Sequence, residues 1–101
     1  MRFIVHVSIP VTKFNEVARS GNASRKLAAI LEDTKPEAVY FTSNDGKRGG
    51  YLIVDLASAS DIPRIAEPWF LIFDASVEFL PVMTPADLQQ AGLDALIKQW
   101  G

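Results

Sequence analysis

One stretch of the sequence decides the fold: residues 35–56, which read KPEAVYFTSNDGKRGGYLIVDL. Pro36 ends any helix before it, because proline lacks an N–H and disfavours helical backbone in the preceding residue. The run Ala38–Thr42 favours a strand, Asp45-Gly46 favours a tight turn, and the run Tyr51–Leu56 favours a second strand. The stretch therefore predicts a β-hairpin at the centre of a small sheet.

Alternation along the predicted strands indicates which residues share a face of the sheet. In the second hairpin strand one face is wholly aliphatic: Leu52, Val54 and Leu56. A first strand over Arg2–Ile9 repeats the pattern, with apolar residues at every second position from Phe3 onward. Each strand thus presents one apolar face to a core and one mixed face to the other side of the sheet.

The remaining segments are predicted to be helices and one more strand. The first helix begins at a Thr12 cap, breaks at Ser20–Asn22 and ends before Pro36. A second helix begins at Ser58 or Ser60 and bends or stops near Glu67, ahead of Pro68. A last strand covers Ser76–Met83, and Thr84-Pro85-Ala86-Asp87 begins a terminal helix.

This order predicts a single α+β domain over residues 1–101: a ferredoxin-like βαββαβ fold with a four-stranded antiparallel sheet and an extra C-terminal helix. Helices cover only one face of such a sheet. The other face carries four apolar residues, Ile4, Ile53, Leu80 and Val82. Because exposed apolar surface is costly, we expect a second copy of the chain to cover it, sheet against sheet, as a two-fold homodimer.

Composition narrows the possible functions. Hydrophobic residues make up 49% of the chain, which is typical of a folded domain, and the net charge of −2 does not favour a nucleic-acid partner. The absence of cysteine excludes disulfides and thiolate metal sites, and a single histidine disfavours any other metal site. No segment resembles a signal peptide or a membrane span, so, together with the lack of cysteine, we expect a cytoplasmic protein. The glycines Gly46, Gly49 and Gly50 lie in the hairpin and not at a helix start, so there is no phosphate-binding loop and we expect no cofactor.

Three ionisable residues on the mixed faces are candidates for catalysis. His6 has a reference pKa near neutrality and is suited to proton transfer, with Asp55 or Glu78 as a nearby carboxylate. The alternative is that His6 forms hydrogen bonds at a dimer interface and that the carboxylates belong to a wet interface.

Five residues are candidates for ligand binding: Tyr40, Tyr51, Glu67, Trp69 and Phe70. The two aromatic residues Trp69 and Phe70 would form the wall of a pocket, with Glu67 at its rim. The alternative is that these aromatic side chains fill the gap between helix and sheet. Lys47 and Arg48, expected at the hairpin tip, would bind an anion or simply be solvated.

Four segments carry a resemblance to a known family: KPEAVYF, DGKR, SDIPRIAEPWF and VEFLPVMTPADL. They resemble a family of uncharacterised small bacterial proteins that is similar to the dimeric α/β-barrel superfamily. The resemblance implies two ferredoxin-like chains that enclose a barrel, with a pocket in each subunit. That superfamily includes cofactor-independent monooxygenases, muconolactone isomerase-like enzymes and haem-degrading enzymes, but the Asn, Trp and His set of the last group has no counterpart here.

Three functions are consistent with the sequence. The first is binding of a small apolar or aromatic molecule between sheet and helices. The second is a cofactor-independent monooxygenase or isomerase that uses His6 and a nearby carboxylate. The third is a structural or regulatory homodimer with a filled interior. A cavity of at least about 300 Å³ favours the first two over the third.

Overall fold

A computed structural model describes residues 1–101 and contains four strands and five α-helices. They are β1 (Arg2–Ile9), α1 (Val11–Arg19), α2 (Ala23–Thr34), β2 (Ala38–Asn44), β3 (Lys47–Asp55), α3 (Ile62–Phe73), β4 (Ser76–Val82), α4 (Pro85–Gln90) and α5 (Leu93–Trp100). The strands form one antiparallel sheet in the order β2-β3-β1-β4. The predicted α+β class is confirmed, and this strand order is that of the ferredoxin-like plan.

The hairpin is formed by β2 and β3. Asp45 and Gly46 are its only turn residues, and both have positive φ angles, 54° and 71°, as a two-residue type I′ turn requires. Lys47 and Arg48 therefore belong to β3 and not to the turn. Tyr40 lies directly opposite Tyr51, so these two residues share a face of the sheet.

The core lies between the inner face of the sheet and the helices α1, α2 and α3. The predicted alternation in β1 and β3 is confirmed, because the buried side chains of these two strands are their apolar sets: Val5, Val7, Ile9, Leu52 and Val54. The helices add Ile30, Ile65, Trp69 and Phe73 to the same cluster. No helix packs on the opposite, outer face of the sheet.

The break in the first helix occurs where it was predicted. Gly21 has a φ of 82° and separates α1 from α2. The prediction of a Thr12 cap is wrong, because the N-cap is Pro10, two residues earlier, and α1 begins at Val11. Pro10 has an extended backbone conformation, and its carbonyl oxygen accepts the N–H of Phe14 at 3.0 Å, so Thr12 lies inside the first turn.

Of the two outcomes predicted near Glu67, a bend or a stop, the stop does not occur, because α3 runs through Pro68 to Phe73. Proline removes one helical hydrogen bond. Continuing the helix buries Trp69 and Phe73, which lie one turn apart on the inner side, and this burial outweighs the missing bond. Asp74, with a φ of 51°, ends the helix.

The terminal helix begins as predicted and then departs from the prediction. Thr84 and Asp87 form a capping box, with N–H to side-chain oxygen distances of 3.1 and 3.0 Å. Gly92, with a φ of 69°, then divides the segment into α4 and α5. We call residues 85–101 the C-terminal arm.

The C-terminal arm projects from the rest of the fold, and none of its residues is buried. The chain extends over 59 Å with a radius of gyration of 17.0 Å, whereas a compact chain of this length has about 13 Å. The arm nevertheless has an amphipathic helix, with four apolar residues exposed: Leu93, Leu96, Ile97 and Trp100.

We expect the stability of the fold to depend on the charge of Asp55. Its carboxylate accepts a hydrogen bond from the Met1 ammonium at 2.9 Å, and this bond, with the nearby charge of Arg2, lowers the pKa of Asp55. A carboxyl group with a lowered pKa in the folded state stabilises the fold when the pH is above the ordinary pKa of that group. The stabilisation is lost as the pH falls through the folded-state pKa. Asp55→Asn should therefore lower the Tm at neutral pH, and the difference from the wild type should shrink as the pH falls below about 4 and vanish once it lies below the folded-state pKa.

Thermal unfolding across this pH range measures the effect, with Glu32→Gln as control, because Glu32 is exposed and forms no ion pair. If the Tm difference between Asp55→Asn and the wild type stayed constant down to strongly acidic pH, the charge of Asp55 would not contribute to stability.

Candidate functional site

Four of the predicted site residues form one row across the outer face of the sheet. The strand register aligns Tyr40, Tyr51, His6 and Glu78 on β2, β3, β1 and β4 in turn. The rings of His6 and Tyr51 are stacked, with centroids 4.6 Å apart and planes 10° from parallel. We call these four residues the outer row.

The outer row is an open surface and not a pocket in the single chain. His6 and Tyr51 are half-buried, whereas Tyr40 and Glu78 are exposed. No ion pair joins His6 to Glu78, although the two residues lie directly opposite each other. The row thus brings together a possible acid–base group, a phenol and a carboxylate, without enclosing them.

Asp55 does not join the outer row. It lies opposite Arg2, four residues along β3 from Tyr51, which corresponds to about 13 Å. Its carboxylate is bound by the Met1 ammonium at 2.9 Å and lies 3.9 Å from the Arg2 guanidinium. Arg2 in turn donates two hydrogen bonds to Glu37, at 2.8 and 3.1 Å. Asp55 is thus part of a surface ion-pair group around the first residues of the chain.

A cavity of about 390 Å³ lies on the opposite, inner face of the sheet. Strands β1, β2 and β3 form its floor, and side chains of α1, α2 and α3 form its walls. Twelve residues line it: Val7, Ile9, Phe14, Leu27, Val39, Phe41, Thr42, Arg48, Gly49, Gly50, Leu52 and Trp69.

The cavity exists because two features leave space at the edge of the core. Gly50 belongs to the inner face, opposite Val7 and Phe41, and contributes no side chain there. The helices also do not extend over the edge strand β2, so Phe41 remains 59% exposed despite its inner-face position. The cavity therefore opens to solvent beside β2.

Arg48 is the one charged residue in the cavity lining. Its guanidinium carbon lies 4.5 Å from the centre of the Phe14 ring, and Nη1 donates a hydrogen bond to Asn15 Oδ1 at 2.9 Å. The cation–π contact and the hydrogen bond together hold the guanidinium at the mouth of the cavity.

Of the five residues predicted to bind a ligand, Trp69 alone lines the cavity. It is 2% exposed, and its indole N–H is buried without an acceptor. Tyr40 and Tyr51 belong to the outer row. Glu67 and Phe70 are exposed on the outer side of α3, because the inner side of that helix is formed by residues three and four positions apart, Trp69 and Phe73 among them.

Arg48 was predicted only as a possible anion-binding residue at the hairpin tip, and the other lining residues, among them Phe14, Leu27 and Phe41, were not predicted as site residues. The usable signal was the pair Gly49-Gly50, because glycine inside a strand marks missing side-chain volume or a close backbone approach. Both apply here, since a Cβ on Gly50 would lie 2.5 Å from the Tyr40 carbonyl oxygen.

No three His, Asp or Glu side chains lie close enough together to hold a metal ion. No helix has the length and hydropathy needed to cross a membrane.

Residues 1–96 match a protein-family model described as Domain of unknown function (DUF3303). A search of curated proteins found no match to the chain.

Proposed function

The chain belongs to the DUF3303 family, and we propose that it is a binding protein for a small apolar or aromatic molecule, held in the cavity between sheet and helices. The observation that carries the proposal is the cavity itself, about 390 Å³ with eight hydrophobic residues among the twelve that line it. Ligand pockets commonly have volumes of about 300–1,000 Å³ and mainly apolar walls with a few polar groups. The cavity also weighs against the alternative of a filled interior.

Filling the cavity should abolish binding. Val39 lies on the inner face of β2 and lines the cavity, so Val39→Phe adds ring volume where a ligand would lie. We expect the neutral fluorescent probe N-phenyl-1-naphthylamine to bind the wild type and to bind Val39→Phe at least about tenfold more weakly. Fluorescence titration measures both affinities.

Leu71→Phe is the matched control, because it adds a ring on the exposed side of α3, away from the cavity. The Tm of each variant shows whether the fold is retained. Absence of probe binding to the wild type, or equal binding to a folded Val39→Phe protein, would contradict the proposed function.

A second candidate is catalysis by the outer row, as a cofactor-independent monooxygenase or isomerase. The supporting observation is the alignment of His6 with Tyr51 on one side and Glu78 on the other. His6 does not line the cavity, so this candidate requires a second surface to enclose the row. In this proposal His6 transfers the proton and Glu78, not the distant Asp55, is its carboxylate.

The two candidates differ in their response to substitution of His6. For any substrate that the protein converts, His6→Ala should lower the rate about 10²–10⁴-fold if His6 is the acid–base group. Asp55→Asn, measured in parallel, should leave the rate unchanged. Undiminished turnover by His6→Ala would end the catalytic role of the outer row.

We also propose that the protein is a homodimer in which a second copy covers the outer face of the sheet. Three observations support it: the outer face has no helix on it, Leu80 there is 59% exposed, and the C-terminal arm has an unpaired apolar side. Burial of both surfaces against a second copy would remove them from water, as in other two-fold interfaces. A cytoplasmic location, favoured by the cysteine-free sequence, belongs to the same proposal.

Charge at position 80 should dissociate the proposed dimer. Leu80→Glu would bury a carboxylate among apolar side chains and weaken the dimer by about 2 kcal/mol or more. Leu71→Glu is the control, since Leu71 is 77% exposed but lies on α3, away from the outer face. Sedimentation velocity should show a monomer for Leu80→Glu and a dimer for the wild type and for Leu71→Glu. A wild-type monomer at micromolar concentration would contradict the proposal.

A further inference from the structure

We propose that the ligand of the cavity is an organic anion, a small aromatic or aliphatic carboxylic acid whose carboxylate is bound by Arg48. This inference rests on the proposed binding function and specifies the class of ligand. Its starting observation is the asymmetry of the lining: one cationic side chain stands at the mouth of an otherwise mainly apolar cavity, and the lining contains no carboxylate.

Arg48 has no anionic partner within the chain. The ion pairs of the structure use Met1, Arg2 and Lys13 as their cations, and none involves Arg48. Its one side-chain hydrogen bond is to the neutral amide of Asn15. A guanidinium has five N–H donors, so most of them remain available to a carboxylate, which this group binds in a bidentate manner.

The side chain of Arg48 is restrained before a ligand binds. The Phe14 ring below it and the Asn15 oxygen beside it restrict the side chain, and Phe14 also lines the cavity. Binding an anion here therefore costs less side-chain entropy than binding one to a freely moving surface arginine. The carboxylate of the ligand would lie at the mouth, with its apolar body inside.

Lys47 provides a control within the same strand. It carries the same charge as Arg48 and is its neighbour in β3, but it does not line the cavity. Adjacent strand residues point to opposite faces of the sheet, so Lys47 faces away from the Arg48 side. Substitution of either residue removes one positive charge from the hairpin, and only one of the two changes the cavity.

The test compares an acid with its neutral amide: 1-naphthaleneacetate and 1-naphthaleneacetamide, titrated by calorimetry. The wild type should bind the acid about tenfold more tightly than the amide. Arg48→Met should remove that preference and leave the affinity for the amide nearly unchanged. Lys47→Met should keep the preference of the wild type, and Arg48→Lys should keep part of it.

Two results would overturn the inference while leaving the proposed function intact: equal binding of acid and amide by the wild type, or an acid preference that persists in Arg48→Met. Failure of the wild type to bind the acid, the amide or N-phenyl-1-naphthylamine would instead overturn the proposed function, and the inference with it.

Discussion

The pairing of β1 with β3 on one side and β4 on the other is the constraint on which the other features depend. Because β1 is central, its alternation assigns faces to the whole sheet: Val5 and Val7 define the inner face, and Ile4 and His6 define the outer face. A shift of one residue in this register would exchange the two sets and bury the imidazole of His6 where a valine side chain now lies. The position of the core and of the outer row follow from this register.

The two faces then differ in what covers them. On the inner face, α3 contributes Trp69 and Phe73 and closes the core, whereas the edge at β2 stays thinly covered. Gly50 and the exposed Phe41 lie at that edge, so the cavity with Arg48 at its mouth forms there. No helix covers the outer face. The C-terminal arm, which has an apolar side, extends away from the rest of the fold.

Local signals in the sequence predicted most of this fold. The Asp45-Gly46 turn, the alternation in β1 and β3, and the capping box at Thr84 each act over a few residues, and each prediction is confirmed. The helix does not stop at Pro68, because the burial of α3 against the sheet, a tertiary effect, exceeds the local cost of proline. A pocket between sheet and helices with Trp69 in its wall was predicted, but the rest of its lining was not, since the lining comes from six separate elements and depends on register and on how far the helices extend.

Quenching of tryptophan fluorescence tests most directly whether a second copy of the chain covers the outer face of the sheet and the C-terminal arm. Trp69 is 2% exposed and Trp100, on the C-terminal arm, is 80% exposed, so an isolated chain has one protected and one accessible indole. In the proposed dimer Trp100 packs against the partner, so we expect acrylamide to quench weakly at tens of micromolar protein and more strongly on dilution to nanomolar concentration. A readily quenched component of constant size at every concentration would contradict it.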